Sequence, residues 1–154
     1  MKYLLTAFLF TLILLNSAMA VSADDIEGLW KAEWGRVIAR MGLCEDDSTY
    51  CGWIVWLKDS LDDDGQPFHD ILNPDESLRG QPVMGMKMFL GFTFDAKEEK
   101  WVGGHIYNCE EGKTYYASLK LPNEKEMIIR GSLDKRGWIG GSTTWRRVDS
   151  VQDD

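Results

Sequence analysis

Carboxylates are the side chains of this sequence best suited to chemistry, because five aspartates lie within one short segment. They are Asp59, Asp62, Asp63, Asp64 and Asp70. Oxygen ligands on a flexible segment suit Ca²⁺, so Asp62, Asp64 and Asp70 are candidate calcium ligands, although their spacing differs from that of an EF-hand. Paired carboxylates could instead hydrolyse a glycosidic bond. We favour the simpler interpretation, which is a solvated acidic turn.

His105 and Cys109 could share one face of an extended strand, which suggests a thiol nucleophile beside a base. Spacing is the only support for this pair, and a strand residue followed by a turn residue is the simpler interpretation. The sequence lacks Gly-x-Ser-x-Gly, His-Glu-x-x-His, a phosphate-binding glycine loop and Cys-x-x-Cys. We therefore expect no cofactor, and we favour a binding protein over an enzyme.

Several aromatic and basic side chains close to the acidic segment are better suited to binding. They are Trp56, Arg79, Tyr107, Lys113 and Tyr115. We predict that they surround a site for a small amphipathic ligand. Trp53 and Trp56 fall on opposite faces of one strand, so at most one of them faces the interior. Alternatively, Tyr107, Lys113 and Tyr115 only shape a hairpin.

The elements that must position these residues are predicted by an alternation of period two. In the clearest run, the even positions from Met84 to Phe94 form an apolar face, and Phe89 lies on the other face. Eight such runs are present, at 28–34, 36–44, 50–58, 84–94, 100–108, 113–121, 126–134 and 137–148. Most connections are short and carry turn residues, so neighbouring strands should pair antiparallel. We predict an all-β, eight-stranded up-and-down barrel in preference to a sandwich, and either fold would use the tryptophans as packing material.

One connection, from Lys58 to Val83, is long. Asn73 and Pro74 are typical of a helix N-cap and a first helical position, so they predict one helical turn. A loop of this length in a compact domain is more often functional than accidental. We predict that it covers one end of the barrel, and a cover without function is the alternative.

The first twenty residues have the features of an export signal. Lys2 precedes an apolar segment, and Ala18-Met19-Ala20 fits signal peptidase. The apolar segment is shorter than the roughly 20 residues that span a bilayer. We predict cleavage after Ala20, with Ala23 as second choice. The mature protein would be periplasmic or secreted, with one domain over 21–148 and an acidic tail over 149–154.

The chain is acidic, with a formal net charge of -8 that becomes -9 when Lys2 leaves with the leader. Such a protein should repel nucleic acid and anionic lipid. We therefore expect no nucleic-acid partner. We also expect no membrane anchor in the mature chain, because no cysteine directly follows either predicted cut to carry a lipid. A small ligand or an envelope protein remains as the possible partner.

Cys44 and Cys51 are separated by six residues of turn-like composition. In an oxidising compartment this spacing favours a local disulfide over a metal pair or two free thiols. The ring would contribute roughly 2 to 3 kcal/mol to stability. Cys109 then has no partner in the chain, so it is either buried and inert or paired between chains.

Motifs spread from Asp25 to Arg147 carry a family resemblance. They include Asp25–Trp30, Cys44 and Cys51 with Gly52–Leu57, Asp62–Gly65, Asn73–Asp75, Leu78-Arg79, Pro82 and Gly85, Trp101, Gly103-Gly104, Ile106-Tyr107, Gly112–Tyr115, Arg130-Gly131, Trp145 and Arg147. With these residues the chain resembles the secreted bacterial proteins catalogued as domain of unknown function 2147. The resemblance implies export and a small all-β domain, and it supplies no catalytic residues. The chain departs from the family at Cys109, usually proline, and at Trp53, often basic or polar.

A second resemblance involves the two ends of the domain. Gly28-Leu29-Trp30 opens the first strand, and Trp145-Arg146-Arg147 ends the last one. This pattern is similar to that of lipocalins and related ligand-binding barrels, in which an arginine packs over the tryptophan. It implies that Arg147 stacks on Trp30 and closes one barrel end.

Three functions remain open from the sequence. A binding barrel predicts a cavity open under the long connection. A structural or partner-binding envelope protein predicts an exposed apolar patch outside the barrel. A carboxylate-dependent hydrolase predicts two carboxyl groups that face one cleft.

Overall fold

The computed structural model describes residues 20–152. They form a closed antiparallel barrel in which each strand pairs with the next and the last pairs with the first. The all-β fold and the up-and-down barrel predicted from the sequence are confirmed. The strands are β1 (Gly28–Ala32), β2 (Val37–Leu43), β3 (Tyr50–Leu57), β4 (Lys87–Asp95), β5 (Lys100–Asn108), β6 (Lys113–Asn123), β7 (Glu126–Ser132) and β8 (Gly140–Val148).

The two ends of the barrel differ in their connections. Four connections meet at what we call the open end: 33–36, 58–86, 109–112 and 133–139. The closed end carries the three other turns, the N-terminal 3-10 turn Ala23–Ile26 and the last residue of β8. The described chain therefore enters and leaves the barrel at the closed end.

Arg147 seals the closed end, as the sequence pattern implies. Its guanidinium carbon lies 4.3 Å from the centre of the Trp30 ring. The guanidinium also donates hydrogen bonds to the carbonyl oxygens of Asp25, Glu27 and Glu124. One side chain thus joins the N-terminal turn, β1 and the β6–β7 turn.

Aromatic side chains fill the half of the barrel nearest the closed end. Trp30, Trp101 and Trp145 are fully buried, as are Phe89 and Phe92. The packing is tight enough to require glycine opposite one ring, because a Cβ at Gly104 would lie 2.5 Å from the Phe92 ring. The remaining tryptophans are not fully buried, so the prediction that all of them serve packing is wrong.

Strand β4 departs from the predicted alternation. Phe89 and Phe92 are both fully buried although they are three positions apart. The register with β3 shifts between Tyr50 and Gly52, and Gly91 has a φ of 63°. This β-bulge changes which face the following residues present. The prediction of one continuous face from Met84 to Phe94, with Phe89 outside, is therefore wrong.

The long connection contains the predicted helical turn as a 3-10 turn, Glu76–Leu78. Its N-cap is Asp75, whose Oδ1 accepts a hydrogen bond from the Ser77 amide at 3.0 Å. The prediction of Asn73 as the N-cap is wrong. The Oδ1 of Asn73 instead accepts from the Asp75 amide at 2.9 Å, an Asx turn that leads into the helical turn.

Strand β8 begins at Gly140 rather than at the predicted Gly137. The carboxylate of Asp134 accepts hydrogen bonds from the amides of Trp138 at 3.2 Å and Ile139 at 2.7 Å. These bonds hold the preceding residues in a turn at the open end.

Two predictions concern residues that the structure does not describe. The export signal, apart from Ala20, lies outside residues 20–152, and so do Asp153 and Asp154 of the predicted tail. Within the described range there is no apolar helix of the length that a bilayer crossing requires.

Candidate functional site

A cavity of about 1180 Å³ lies beneath the open end. Its floor is the upper surface of the packed core, because Phe89, Ile106, Ile129 and Trp145 belong to the core and also line the cavity. Small eight-stranded barrels are often filled by their own side chains. In this barrel the half nearest the closed end is filled, and the cavity occupies the other end together with space between the connections that surround it.

Large apolar side chains surround the mouth of the cavity and are exposed to solvent. Ile71 is 69% exposed, and Trp138, beside the mouth, is 77% exposed. We call the exposed apolar residues that line the cavity, together with Trp138 beside Ile139, the apolar rim: Trp34, Phe68, Ile71, Leu72, Leu133, Trp138 and Ile139. A concentration of exposed apolar surface marks a ligand-binding or partner-binding region.

The segment 58–86, which we call the lid, is attached to the barrel through a buried carboxylate. Asp70 is 3% exposed. The hydroxyl of Tyr107 on β5 donates to its Oδ1 at 2.8 Å, and Nδ2 of Asn73 donates to its Oδ2 at 2.6 Å. Burial, followed by the hydrogen bond to Asp70, raises the pKa of Tyr107 to about 12.

The lid also rests on the β5–β6 turn. A Cβ at Gly112 would lie 2.1 Å from the carbonyl oxygen of Leu72, and Gly112 has a φ of 62°. Only glycine combines this backbone conformation with so close an approach. The lid is therefore fixed at two points on the same side of the mouth.

Two of the residues predicted to bind a ligand, Tyr107 and Tyr115, line the cavity. Trp56 does not, and the ammonium of Lys31 lies 5.6 Å from the centre of its ring. Lys31 alternates along β1 with the core residues Trp30 and Ala32, so Trp56 lies on the outer face.

Arg79 and Lys113, the other residues predicted to bind a ligand, also lie outside the cavity lining. Nε of Arg79 donates to the carbonyl oxygen of Asn73 at 2.8 Å, which holds the helical turn of the lid. Nζ of Lys113 lies 3.5 Å from Oε2 of Glu111 on the neighbouring turn.

The candidate calcium ligands Asp62, Asp64 and Asp70 are not grouped. Oδ1 of Asp62 accepts from the amides of Asp64 at 3.0 Å and Gln66 at 2.8 Å, so this carboxylate shapes an exposed turn. Asp70 is buried against Tyr107 instead. Among residues 20–152, no three His, Cys, Asp or Glu side chains are grouped so as to hold a metal ion.

Cys44 and Cys51 form the disulfide favoured by their spacing, with an S–S distance of 2.03 Å. Cys109 is a free, half-buried thiol that lines the cavity. Burial, and then the charges of Asp70 and Glu110, raise the pKa of Cys109, so the nucleophilic thiolate is disfavoured.

His105 lies apart from the cavity, so the structure does not assemble the predicted thiol and base. The His105 ring packs at a tilt of 45° against Tyr116, with ring centres 5.0 Å apart, and does not line the cavity. His105 is a residue of strand β5 and Cys109 is a residue of the turn that follows, which agrees with the simpler interpretation of this pair.

Sequence reasoning did not single out the apolar rim. A signal was present, because Phe68, Ile71 and Leu72 are apolar residues in an otherwise polar loop, and Leu133 and Ile139 flank a turn. Apolar residues in exposed connections have no core to fill, so their position favours a binding role.

The closed barrel with one hollow end belongs to the lipocalin-like fold class. It is similar to the solved structure titled "Protein HP1028 from the human pathogen Helicobacter pylori belongs to the lipocalin family". The TM-score is 0.68 at 20% sequence identity, over 80% of this chain and 83% of that one. At this identity the similarity shows the fold alone.

The chain itself belongs to the family described as "Uncharacterized protein conserved in bacteria (DUF2147)", whose pattern it matches over residues 28–147. This is the family that the sequence motifs resemble. A comparison with curated proteins finds no match.

Proposed function

We propose that this protein binds a small amphipathic ligand in the cavity at the open end and is not an enzyme. The observation that carries the proposal is the hollow half of the barrel. Its volume, about 1180 Å³, exceeds the roughly 300–1,000 Å³ that is common for small-molecule sites. An apolar floor with polar groups at the mouth suits a ligand with an apolar body and a polar head.

A substitution that fills the cavity tests this proposal. Gly131 on β7 lines the cavity, and nothing lies within 4 Å of a Cβ built there. In Gly131→Phe the new ring would occupy ligand space. We expect affinity for an environment-sensitive apolar fluorophore to fall about tenfold or more, since its apolar contacts would be lost.

Gly42→Phe is the matched control, because a Cβ at Gly42 also meets nothing within 4 Å and Gly42 does not line the cavity. This variant should bind the fluorophore as the parent protein does. Equal affinity of the parent and Gly131→Phe would contradict binding in the cavity.

A partner-binding or structural role in the envelope is a second candidate, and Trp138 favours it. This side chain is 77% exposed and does not line the cavity. Its indole is therefore available to another protein. Enrichment of one envelope protein by the parent but not by Trp138→Ser, in pull-downs from the periplasm, would support this candidate.

We further propose that the protein is exported as a mature domain over 21–148 with an acidic tail. The disulfide suits an oxidising compartment. Cleavage after Ala20 would retain Val21, which packs against the core, and Ala23, whose carbonyl accepts from Nε1 of Trp101 at 3.0 Å. Cleavage after Ala23 would remove Val21. The intact mass of the periplasmic protein distinguishes the two products.

A further inference from the structure

Acidic side chains predominate around the cavity. Its lining includes the carboxylates of Asp59, Glu110 and Glu111, whereas the basic groups among its described lining residues are Arg36 and His69. Nη2 of Arg36 lies 2.9 Å from Oδ2 of Asp59, so these two charges offset each other. On the β5–β6 turn, Glu111 is paired with Lys113 at 3.5 Å, whereas Glu110 has no ion-pair partner among the described residues.

Glu111 is held in place on this turn. Its carboxylate accepts from the hydroxyl of Tyr115 at 2.6 Å and from Nδ2 of Asn108 at 3.0 Å. The Tyr115 hydrogen bond and the charge of Lys113 lower the pKa of Glu111, which keeps it ionised near neutral pH. Glu110 forms no salt bridge within residues 20–152.

The buried carboxylate of Asp70 lies on the same side of the mouth as this turn. Its hydrogen-bond partner Tyr107 precedes the turn on β5. Both Asp70 and Glu110 raise the pKa of the Cys109 thiol, after the larger effect of burial. Solvent screens a buried charge less than an exposed one. This side of the mouth is therefore an electrostatically negative surface.

Aromatic rings at the mouth complement a positive charge. Four tryptophans already have a lysine or arginine over the ring. Trp34, which is 52% exposed and lines the cavity, has no such cation among the described residues. A ligand cation over an indole or phenol ring is attracted by the ring quadrupole, and desolvation strengthens that attraction.

We propose that the cavity selects amphiphiles with a cationic head, an alkylammonium or quaternary ammonium group, over anionic amphiphiles such as fatty acids. The apolar chain lies on the floor formed by Phe89 and Trp145. The head lies at the mouth near Glu110 and Glu111. This inference rests on the proposed ligand-binding function.

A matched set of amphiphiles tests the preference. Dodecyltrimethylammonium, dodecanol and dodecanoate share one chain and differ in head charge. Each would displace the apolar fluorophore from the parent protein, the two ions below their micelle concentrations and the alcohol within its aqueous solubility. We expect the cation to bind about tenfold or more tightly than the anion, with the alcohol between them. The difference should shrink as salt screens the head group.

Two double variants test whether the preference for the cation arises from the β5–β6 turn. Glu110→Gln with Glu111→Gln should remove most of the preference for the cation, measured as the ratio of cation affinity to anion affinity within the same variant. Glu98→Gln with Glu99→Gln is the control, because these acids lie on the β4–β5 turn at the closed end. It should retain the full preference.

The outcomes separate the two proposals. Equal affinities for cation and anion, or tighter binding of dodecanoate, would overturn the cationic preference and leave ligand binding in place. An unchanged preference in the Glu110 and Glu111 double variant would overturn its assignment to this turn. Failure of the fluorophore and of all three amphiphiles to bind would count against the proposed function itself.

Discussion

At the scale of single residues, Arg147 shows how one side chain can join three separate segments. Its guanidinium covers the Trp30 ring and donates to carbonyl oxygens of the N-terminal turn and of the β6–β7 turn. Burial lowers the pKa of Arg147. Hydrogen bonds from a charged donor contribute more than neutral ones, so this residue should matter for stability.

We predict that Arg147→Met lowers the free energy of unfolding by about 2–4 kcal/mol, because it removes charge-assisted hydrogen bonds and a cation–π contact. Urea denaturation measures the change. Arg146→Met is the control, since Arg146 is paired with Glu126 at 3.1 Å and its side chain is 68% exposed. That variant should lose less than about 1 kcal/mol, and similar losses in both would contradict the role of Arg147.

Residues differ in how far the sequence could reveal their roles. The Trp30 and Arg147 contact was predictable, because a short pattern at each end of the domain carries it. Asp70 resembles the other aspartates of its loop in sequence. Its burial depends on Tyr107, a residue 37 positions further along the chain, and no spacing rule connects the two.

At the scale of elements, the lid depends on the hydrogen bond between Tyr107 and Asp70. We predict that Tyr107→Phe leaves Asp70 with an unpaired buried oxygen and loosens the lid, at a cost of about 1–3 kcal/mol. Amide hydrogen exchange should then rise within 58–86 and stay unchanged in β7 and β8. Tyr115→Phe is the control, because its hydroxyl bonds to Glu111 on the turn and not to the lid.

The same hydrogen bond predicts a response to alkaline pH. The pKa of Tyr107 rises to about 12 in the folded protein, against about 10 for an unperturbed tyrosine. Its contribution to stability is therefore complete below a pH of about 10 and is lost as the pH rises towards 12. Over this range the free energy of unfolding, measured by urea denaturation, should fall more in the parent protein than in Tyr107→Phe.

The strands were predictable as elements, whereas their local irregularities were not. Alternation and turn residues fixed the number of strands and their order, because most neighbours in the barrel are also neighbours in sequence. The bulge near Gly91 is a cooperative feature of β3 and β4 together. A single strand pattern therefore placed Phe89 on the wrong face.

At the scale of the whole molecule, the disulfide and the cavity proposed to bind a ligand lie at opposite ends. The disulfide lies in the β2–β3 connection at the closed end, and the cavity opens at the other. We predict that Cys44→Ser with Cys51→Ser lowers the free energy of unfolding by about 2–3 kcal/mol, through a less constrained unfolded chain. Fluorophore affinity should change by less than about twofold.

Cys109→Ser is the control for this prediction, because Cys109 forms no disulfide. Urea denaturation should show a much smaller loss for this variant. A tenfold loss of fluorophore affinity in the disulfide variant would contradict the separation of the two ends.

The cavity was the least predictable property of the molecule. The sequence predicted a barrel and a cover over one end, but it could not show how far the tryptophans fill the interior. Trp34 is half-exposed at the mouth, Trp138 is exposed beside it, and Gly131 and Gly141 leave space at the upper wall. A cavity forms where many side chains together leave space unfilled, so no single residue type in the sequence predicts it.

The entry and exit of the described chain at the closed end have a practical consequence for handling the protein. An affinity tag, a fluorescent fusion or a sensor surface joined at either end of the described range, residues 20–152, would lie at the end of the barrel away from the mouth. Two copies joined through their termini would therefore present their mouths in outward directions, so a tandem fusion could capture two ligand molecules without one copy obstructing the other.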